Sequence, residues 1–203
     1  MLPPDQTPFR LMPARIHEVE GAGRHAFAIF QAARHAGPVF WVRPLRDQGS
    51  FLPAALPEGL AARLYQVRAR SEVDLLWAVE ETLRAPLTGF VLAEPERPLS
   101  LTAGRRLQLA AEAGRTTGLM MIGAGAGSNA TESRWHCSPV AGTGGDMACH
   151  RWALTKNKRG LTGAWQVAWD PQDDRLRTLE PGPDPAGSDQ PAADQVSGAG
   201  SSR

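Results

Sequence analysis

The sequence predicts an α/β protein: a parallel sheet covered by helices, extended at its C-terminal end by antiparallel strands. Three observations carry this. From residue 15 to residue 122, short apolar runs alternate with segments of helical periodicity, as in sheets built from βαβ units. The alternation opens with a strand, a glycine turn and a helix, Arg15-Ile-His-Glu-Val-Glu-Gly-Ala-Gly-Arg-His-Ala-Phe-Ala-Ile-Phe30. Beyond residue 134 the helical segments stop, and three strand-like runs follow one another.

Taken in order, residues 1–14 carry four prolines and little periodicity, and read as a flexible N-terminal arm. Phe9 and Leu11 are its apolar anchors, expected to dock on the domain's own core. Arg15 to Val19 is the first strand. The helix from Arg24 to His35 places Phe27, Phe30 and Ala33 at core spacing and ends at Gly37-Pro38. Val39 to Val42 is a short apolar run of the buried-strand kind. Residues 44–61 are irregular, with a short helix expected around Gly59 to Arg63, and Leu64 to Ala69 follows as a strand.

Ser71 begins a capping box in which Asp74 stands at the third helical position. Val73, Leu76, Trp77, Glu80 and Leu83 are expected to line one face of that helix, and Pro86 lies beyond its end. Gly89 to Ala93 is the next strand. Ser100 or Thr102 caps a helix reaching about Ala113, with Gly114 suited to the position after it. Gly118 to Ile122 is the last strand of the alternating series.

Gly123 to Ser133 is rich in glycine and expected to be mobile. Then 134–140, 151–155 and 164–169 read as strands, the last two joined through residues 156–163 as a hairpin on the sheet edge. Trp152, Trp165 and Trp169 are expected to form its apolar face. Few large apolar residues follow Pro171, and 179–203 has the composition of a disordered tail. The globular domain is thus expected over 15–178.

Composition narrows the function classes. An apolar fraction of 42% suits a soluble globular protein. No 18-residue apolar run offers a membrane helix, and the N-terminus lacks a secretory pattern, so the cytoplasm is the expected compartment. A net charge of +1 predicts no strong nonspecific grip on nucleic acid. Two cysteines make no disulfide framework. The adjacent pairs His136-Cys137 and Cys149-His150 have the wrong spacing for a zinc site, since neighbours on a strand point to opposite faces.

The glycine turn is the chief candidate site. A phosphate loop needs G-x-x-x-x-G-K-[ST], with backbone N–H groups closing on the phosphates, Lys on the terminal oxygens and a hydroxyl for Mg²⁺. Here Gly21, Gly23, Arg24 and His25 make a compressed turn, and Ala26 stands where a hydroxyl is wanted. The architecture is that of a phosphate loop and the chemistry is missing. No cofactor, metal or catalytic residue is therefore expected. A second candidate is the basic cluster Arg151, Lys156, Lys158 and Arg159, a possible contact for DNA or an acidic partner.

Taken together, residues 15–28, the helix at 71–84, Leu-Thr-Ala-x-Arg-Arg-Leu-Gln-Leu-Ala-Ala-Glu-Ala-Gly (101–114), Arg134-Trp135 and Asn-Lys-Arg-Gly-Leu-Thr-Gly-x-Trp-x-x-x-Trp-Asp (157–170) resemble the ImuA family. These are RecA-like proteins, also described as SulA-like, of bacterial damage-induced mutagenesis cassettes. The resemblance covers about residues 14 to 178. It implies a RecA-like core acting in the SOS response beside an ImuB-like polymerase relative and a DnaE-type error-prone polymerase in translesion synthesis, with RecA and DNA as further possible contacts. Set against RecA, three parts are missing. The loop lacks its Lys and Thr, Val42-Arg-Pro-Leu45 carries no catalytic Glu, and Glu94, nearest to the metal-organising Asp, is followed by Pro95 and expected to be solvated or capping. The reading is a non-enzymatic adaptor. A weak ATP-binding switch and a SulA-like inhibitor of cell division are the alternatives.

Overall fold

The computed structural model describes residues 8–47, 49, 55–141, 147–171 and 175–179. Its first five strands are β1 (Ile16–Glu20), β2 (Val39–Pro44), β3 (Leu64–Ala69), β4 (Phe90–Ala93) and β5 (Thr117–Met121). Helices α1 (Arg24–Arg34), α2 (Glu72–Arg84) and α3 (Leu101–Gly114) connect them. Then come β6 (Ser133–Pro139), β7 (Ala148–Asn157), β8 (Gly163–Asp170) and β9 (Arg175–Leu179). All nine join one sheet in the order β3-β2-β4-β5-β1-β6-β7-β8-β9. The strands through β6 run parallel, and β6 through β9 form an antiparallel meander. The α/β class with an antiparallel C-terminal extension is the one the sequence predicts.

The hairpin does not sit on the edge. β6 pairs parallel to β1, so the sheet continues through its middle, and β9 is the outer strand. β9 was invisible in composition because its sequence, Arg-Leu-Arg-Thr-Leu, contributes one buried side chain, Leu176. The proposed tail lies outside the described residues, apart from Leu179 in β9.

The sheet is apolar on both faces, as parallel strands between helices require. On one face α1 lays Phe27 and Phe30 against Trp135, Trp152 and Trp169. Phe9 is seated in the same cluster, 5.3 Å from the Trp152 ring and 5.4 Å from that of Trp165. Gln31 fixes it there by donating to the Phe9 carbonyl at 2.8 Å. The arm is therefore anchored from Phe9 onward, although its prolines suggested a loose segment: a buried aromatic side chain outweighs the poor local periodicity. Trp152 and Trp169 are buried and Trp165 is half-buried, all three on this face.

On the opposite face α2 and α3 cover Ile16, Val42, Val91 and Met120. The Ser71 hydroxyl accepts from the Asp74 amide at 3.1 Å and caps α2, and Ser100, not Thr102, caps α3 by accepting from Ala103. The buried stripe of α2 is Leu75, Val79 and Leu83, with Glu80. Val73 and Trp77, expected inside, are 78% and 62% exposed. The helix is rotated because it must share its inner side between the sheet and α3. Gly114 ends α3 without turning left-handed; that conformation falls to Arg115 (φ 55°). A Cβ on Gly114 would lie 1.9 Å from the Leu83 carbonyl, so the glycine lets α3 pass against α2. No helix among the described residues is long and apolar enough to cross a membrane.

Candidate functional site

The carboxyl ends of parallel strands are where open α/β sheets place their ligands, and the glycine turn lies there, between β1 and α1. Gly21 has φ +90°, a left-handed conformation that a side chain resists. The turn is also pressed against β6: a Cβ on Gly21 would stand 2.4 Å from the Cys137 carbonyl oxygen. The Gly23 amide donates to that same oxygen at 2.8 Å. A phosphate cradle needs such an amide directed at the ligand; here β6 holds it. The Arg24 amide in turn donates to Gly21 O at 3.2 Å, closing the turn on itself.

Arg24 and Glu94 border an open cavity of about 570 Å³ with Pro44, Arg46, Asp47 and Glu96. Glu94 is the centre of its charge arrangement. The Trp41 indole N–H donates to its carboxylate at 2.7 Å, and His25 Nε2 lies 3.6 Å away. Arg43 Nε approaches at 3.7 Å. Burial pushes the Glu94 pKa up, but His25, Arg43 and Trp41 together outweigh it and hold the carboxyl below its ordinary value. Glu94 is thus an enclosed ion-pair hub, contrary to the solvated or capping role expected for it. Arg43 is itself almost wholly buried, with its guanidinium 4.1 Å from the Trp41 ring and paired to Asp47. β2 thus carries a buried positive charge near its carboxyl end.

On the other face of the sheet the register sets Glu18 opposite Arg134 and Glu20 opposite His136. Glu18 is 0% exposed. Its carboxylate accepts from Arg134 Nε at 2.9 Å, the Ser128 amide at 2.8 Å and the Thr131 hydroxyl at 3.0 Å. Glu20 accepts from the Gly125 amide at 2.9 Å and lies 3.5 Å from His136 Nδ1. The glycine-rich segment expected to be mobile is thus tied to β1 by two carboxylates, with Ser128, Thr131 and Glu132 buried.

The basic cluster is divided by the fold. Lys156 Nζ donates to the carbonyls of Ser128 (2.9 Å) and Thr131 (2.8 Å), and burial leads the causes that lower its pKa. Lys158 Nζ donates to Ala130 O at 2.7 Å. Arg159 pairs with Glu132 at 3.2 Å while remaining 57% exposed. Arg151 lies elsewhere, in the middle of β7 opposite Ser138 and Gln166. Two of the four candidate contact residues therefore direct their charge inward, onto the 128–132 segment, instead of presenting a common basic surface.

No family model matches the chain. Two curated relatives do, each named Protein ImuA and each from a strain of Caulobacter vibrioides. Both are 36% identical over an alignment of 179 residues, covering 73% of this chain and 72% of the relative. The chain belongs to the ImuA family.

In this ImuA-family chain, sequence reasoning found the turn residues Gly21, Gly23, Arg24 and His25, and missed Trp41, Arg43 and Glu18. A signal existed for the two charged ones. Arg43 interrupts an otherwise apolar strand and Glu18 follows Ile16-His17 in another, and a buried charge demands a partner. What the linear pattern withheld was the partner's position, which only the strand order supplies.

Proposed function

We propose that this ImuA-family chain is a non-catalytic, RecA-like accessory protein of SOS-induced translesion DNA synthesis. In this reading it is cytoplasmic and works as an adaptor beside an ImuB-like polymerase relative and a DnaE-type error-prone polymerase. The observation that carries the non-catalytic part is the Gly23 amide held by the Cys137 carbonyl at 2.8 Å. A turn clasped to β6 cannot close on a phosphate without breaking that bond, and Arg24-His25-Ala26 supplies neither the lysine nor the Mg²⁺ hydroxyl. Two further features agree. Glu94 is already engaged by the Trp41 indole N–H, His25 and the Arg43 guanidinium, and β2 ends in Arg43-Pro44 without a carboxylate to activate water.

Family membership supports the mutagenesis context, and the Gly23 amide held by Cys137 supports an adaptor over a nucleotide switch. The test has two arms. Calorimetry with ATP and Mg²⁺ is expected to show no binding at micromolar protein; a Kd below about 10 µM, weakened by Arg24→Ala, would overturn the non-catalytic reading in favour of a nucleotide switch. Affinity capture of the full chain from cells after DNA damage is expected to recover the ImuB-like partner. Recovery of a division GTPase in its place, or of neither, would overturn the adaptor role.

A further inference from the structure

Residues 8–13 lie against the domain through two buried side chains, Phe9 and Leu11. The seat of Phe9 is made wholly by elements downstream of this arm. Phe30 of α1, Trp135 of β6, Trp152 of β7 and Trp165 of β8 surround it, with ring centroids 6.2, 6.0, 5.3 and 5.4 Å away. Three of the four meet the Phe9 ring edge to face, a geometry that aromatic quadrupoles favour. The arm's backbone is held at two points. Gln31 donates to the Phe9 carbonyl at 2.8 Å, and His17 to the Met12 carbonyl at 3.0 Å. One side of the arm, Pro8 and Arg10 to Pro13, borders a cavity of about 410 Å³ together with Trp135, Leu154 and Arg159. The arm is therefore attached at its anchors and not packed along its whole length.

The connection from the arm to β1 is where the backbone is strained. Pro13-Ala14 is a turn that brings the arm back onto its own domain, and Ala14 has φ +56°. Among the described residues, two that are not glycine have a positive φ, Ala14 and Arg115. Arg115 follows α3, where a left-handed residue is an ordinary way to end a helix. Ala14 ends no helix. After a turn proline the left-handed position suits glycine, whereas an alanine Cβ resists it. The Thr117 hydroxyl holds Ala14 there, accepting from its N–H at 3.1 Å. A docked arm joined to its domain by a short hinge under strain is the condition in which identical arms exchange between copies.

We propose that two copies of this chain exchange residues 8–13, so that the partner's Phe9 fills the aromatic seat of each domain. The occupant is the one the seat already holds, and the exchange keeps every anchor: the aromatic box, the Gln31 bond and the His17 bond. What changes is the hinge. Opening the Pro13-Ala14 turn lets Ala14 return to ordinary backbone in both protomers, which is the gain that drives the exchange. Six residues reach at most about 20 Å, so the two domains stand with the starts of their β1 strands close together about a two-fold axis. No further surface has to match, and the dimer is accordingly a weak one. The inference does not depend on the adaptor reading.

Sedimentation velocity on the full chain from about 5 to 200 µM tests it, with circular dichroism checking that each variant folds. The expected result is a reversible monomer–dimer equilibrium. Ala14→Gly is expected to weaken it at least about tenfold, because glycine takes the left-handed turn freely and both hinges lose their drive. Ala14→Val is expected to strengthen it at least about threefold, since a β-branched side chain tolerates positive φ less well than alanine. Opposite effects from two changes at one hinge residue separate an exchanged arm from a dimer formed through any other surface. A parent that stays monomeric across the whole range overturns the proposal. So does a dimer that Ala14→Gly leaves unchanged, or one that Ala14→Val does not strengthen.

Discussion

Removing the Glu18 carboxylate is the most informative perturbation of this fold, because it separates a tied loop from a merely adjacent one. Glu18 is wholly buried and holds three donors: Arg134 Nε, the Ser128 amide and the Thr131 hydroxyl. Glu18→Ala leaves the Arg134 charge, itself 21% exposed, without its carboxylate and strands the Ser128 amide, whereas the Thr131 hydroxyl keeps the Ser128 carbonyl as acceptor at 3.0 Å. Breaking a buried pair from one side costs about 3–5 kcal/mol. Partial exposure of Arg134 lets water offset some of this, so the lower end applies. At about 2–4 °C per kcal/mol for a chain of this size, the melting temperature should fall by about 6–12 °C. The loss should be local first. The Ser128 amide should exchange with solvent faster than the β1 amides, and Lys156→Met, which releases the Ser128 and Thr131 carbonyls, should accelerate it too. Replacing both charges, Glu18→Leu with Arg134→Met, should recover much of the loss, since an apolar pair avoids the desolvation of two ions. Thermal unfolding followed by circular dichroism, with hydrogen exchange at residues 123–133, reads all of this. A Glu18→Ala protein melting within about 2 °C of the parent, or a double variant no better than the single one, would refute the reasoning.

Further outcomes follow at His17, Gly21 and Gly123. His17 is almost fully buried; its Nε2–H donates to the Met12 carbonyl at 3.0 Å and its Nδ1 accepts from the Ser133 hydroxyl at 2.6 Å. Burial is the main cause lowering its pKa from 6.5 to about 4, with the charges of His35 and Arg15 acting the same way against the Met12 bond. Between these values the unfolded chain binds a proton that the native protein does not. Stability should therefore fall as pH drops from 6.5 toward 4, by about 2 kcal/mol between pH 7 and pH 5; urea midpoints at the two values check this, and His17→Gln should flatten the slope. Gly21→Ala should destabilise by about 2–4 kcal/mol, combining left-handed strain with a Cβ 2.4 Å from the Cys137 oxygen. Gly123→Ala, with nothing within 4 Å of its Cβ, should stay within about 0.5 kcal/mol in the same thermal assay.

The alternation of apolar runs with helical periods determined the α/β class, because a strand buried on both faces must be apolar throughout and a covering helix must be amphipathic. Caps were equally local: Ser71 and Asp74 needed only each other. The turn at Gly21 and Gly23 was legible as the connection between the first strand and the first helix, since glycines between an apolar run and a helical period mark a tight turn. Where that turn rests was not legible. The Cys137 carbonyl that receives the Gly23 amide comes from a strand more than a hundred residues away, and its position depends on β6 lying beside β1. The same pairing opposed Glu18 to Arg134 and drew Lys156 and Lys158 inward, so two members of a basic cluster clamp a loop. Trp77 shows the reverse case. Its spacing fitted an inner stripe, yet the rotation of α2 is fixed by what lies beneath and beside it, and a helix pattern alone carries no information about its neighbours.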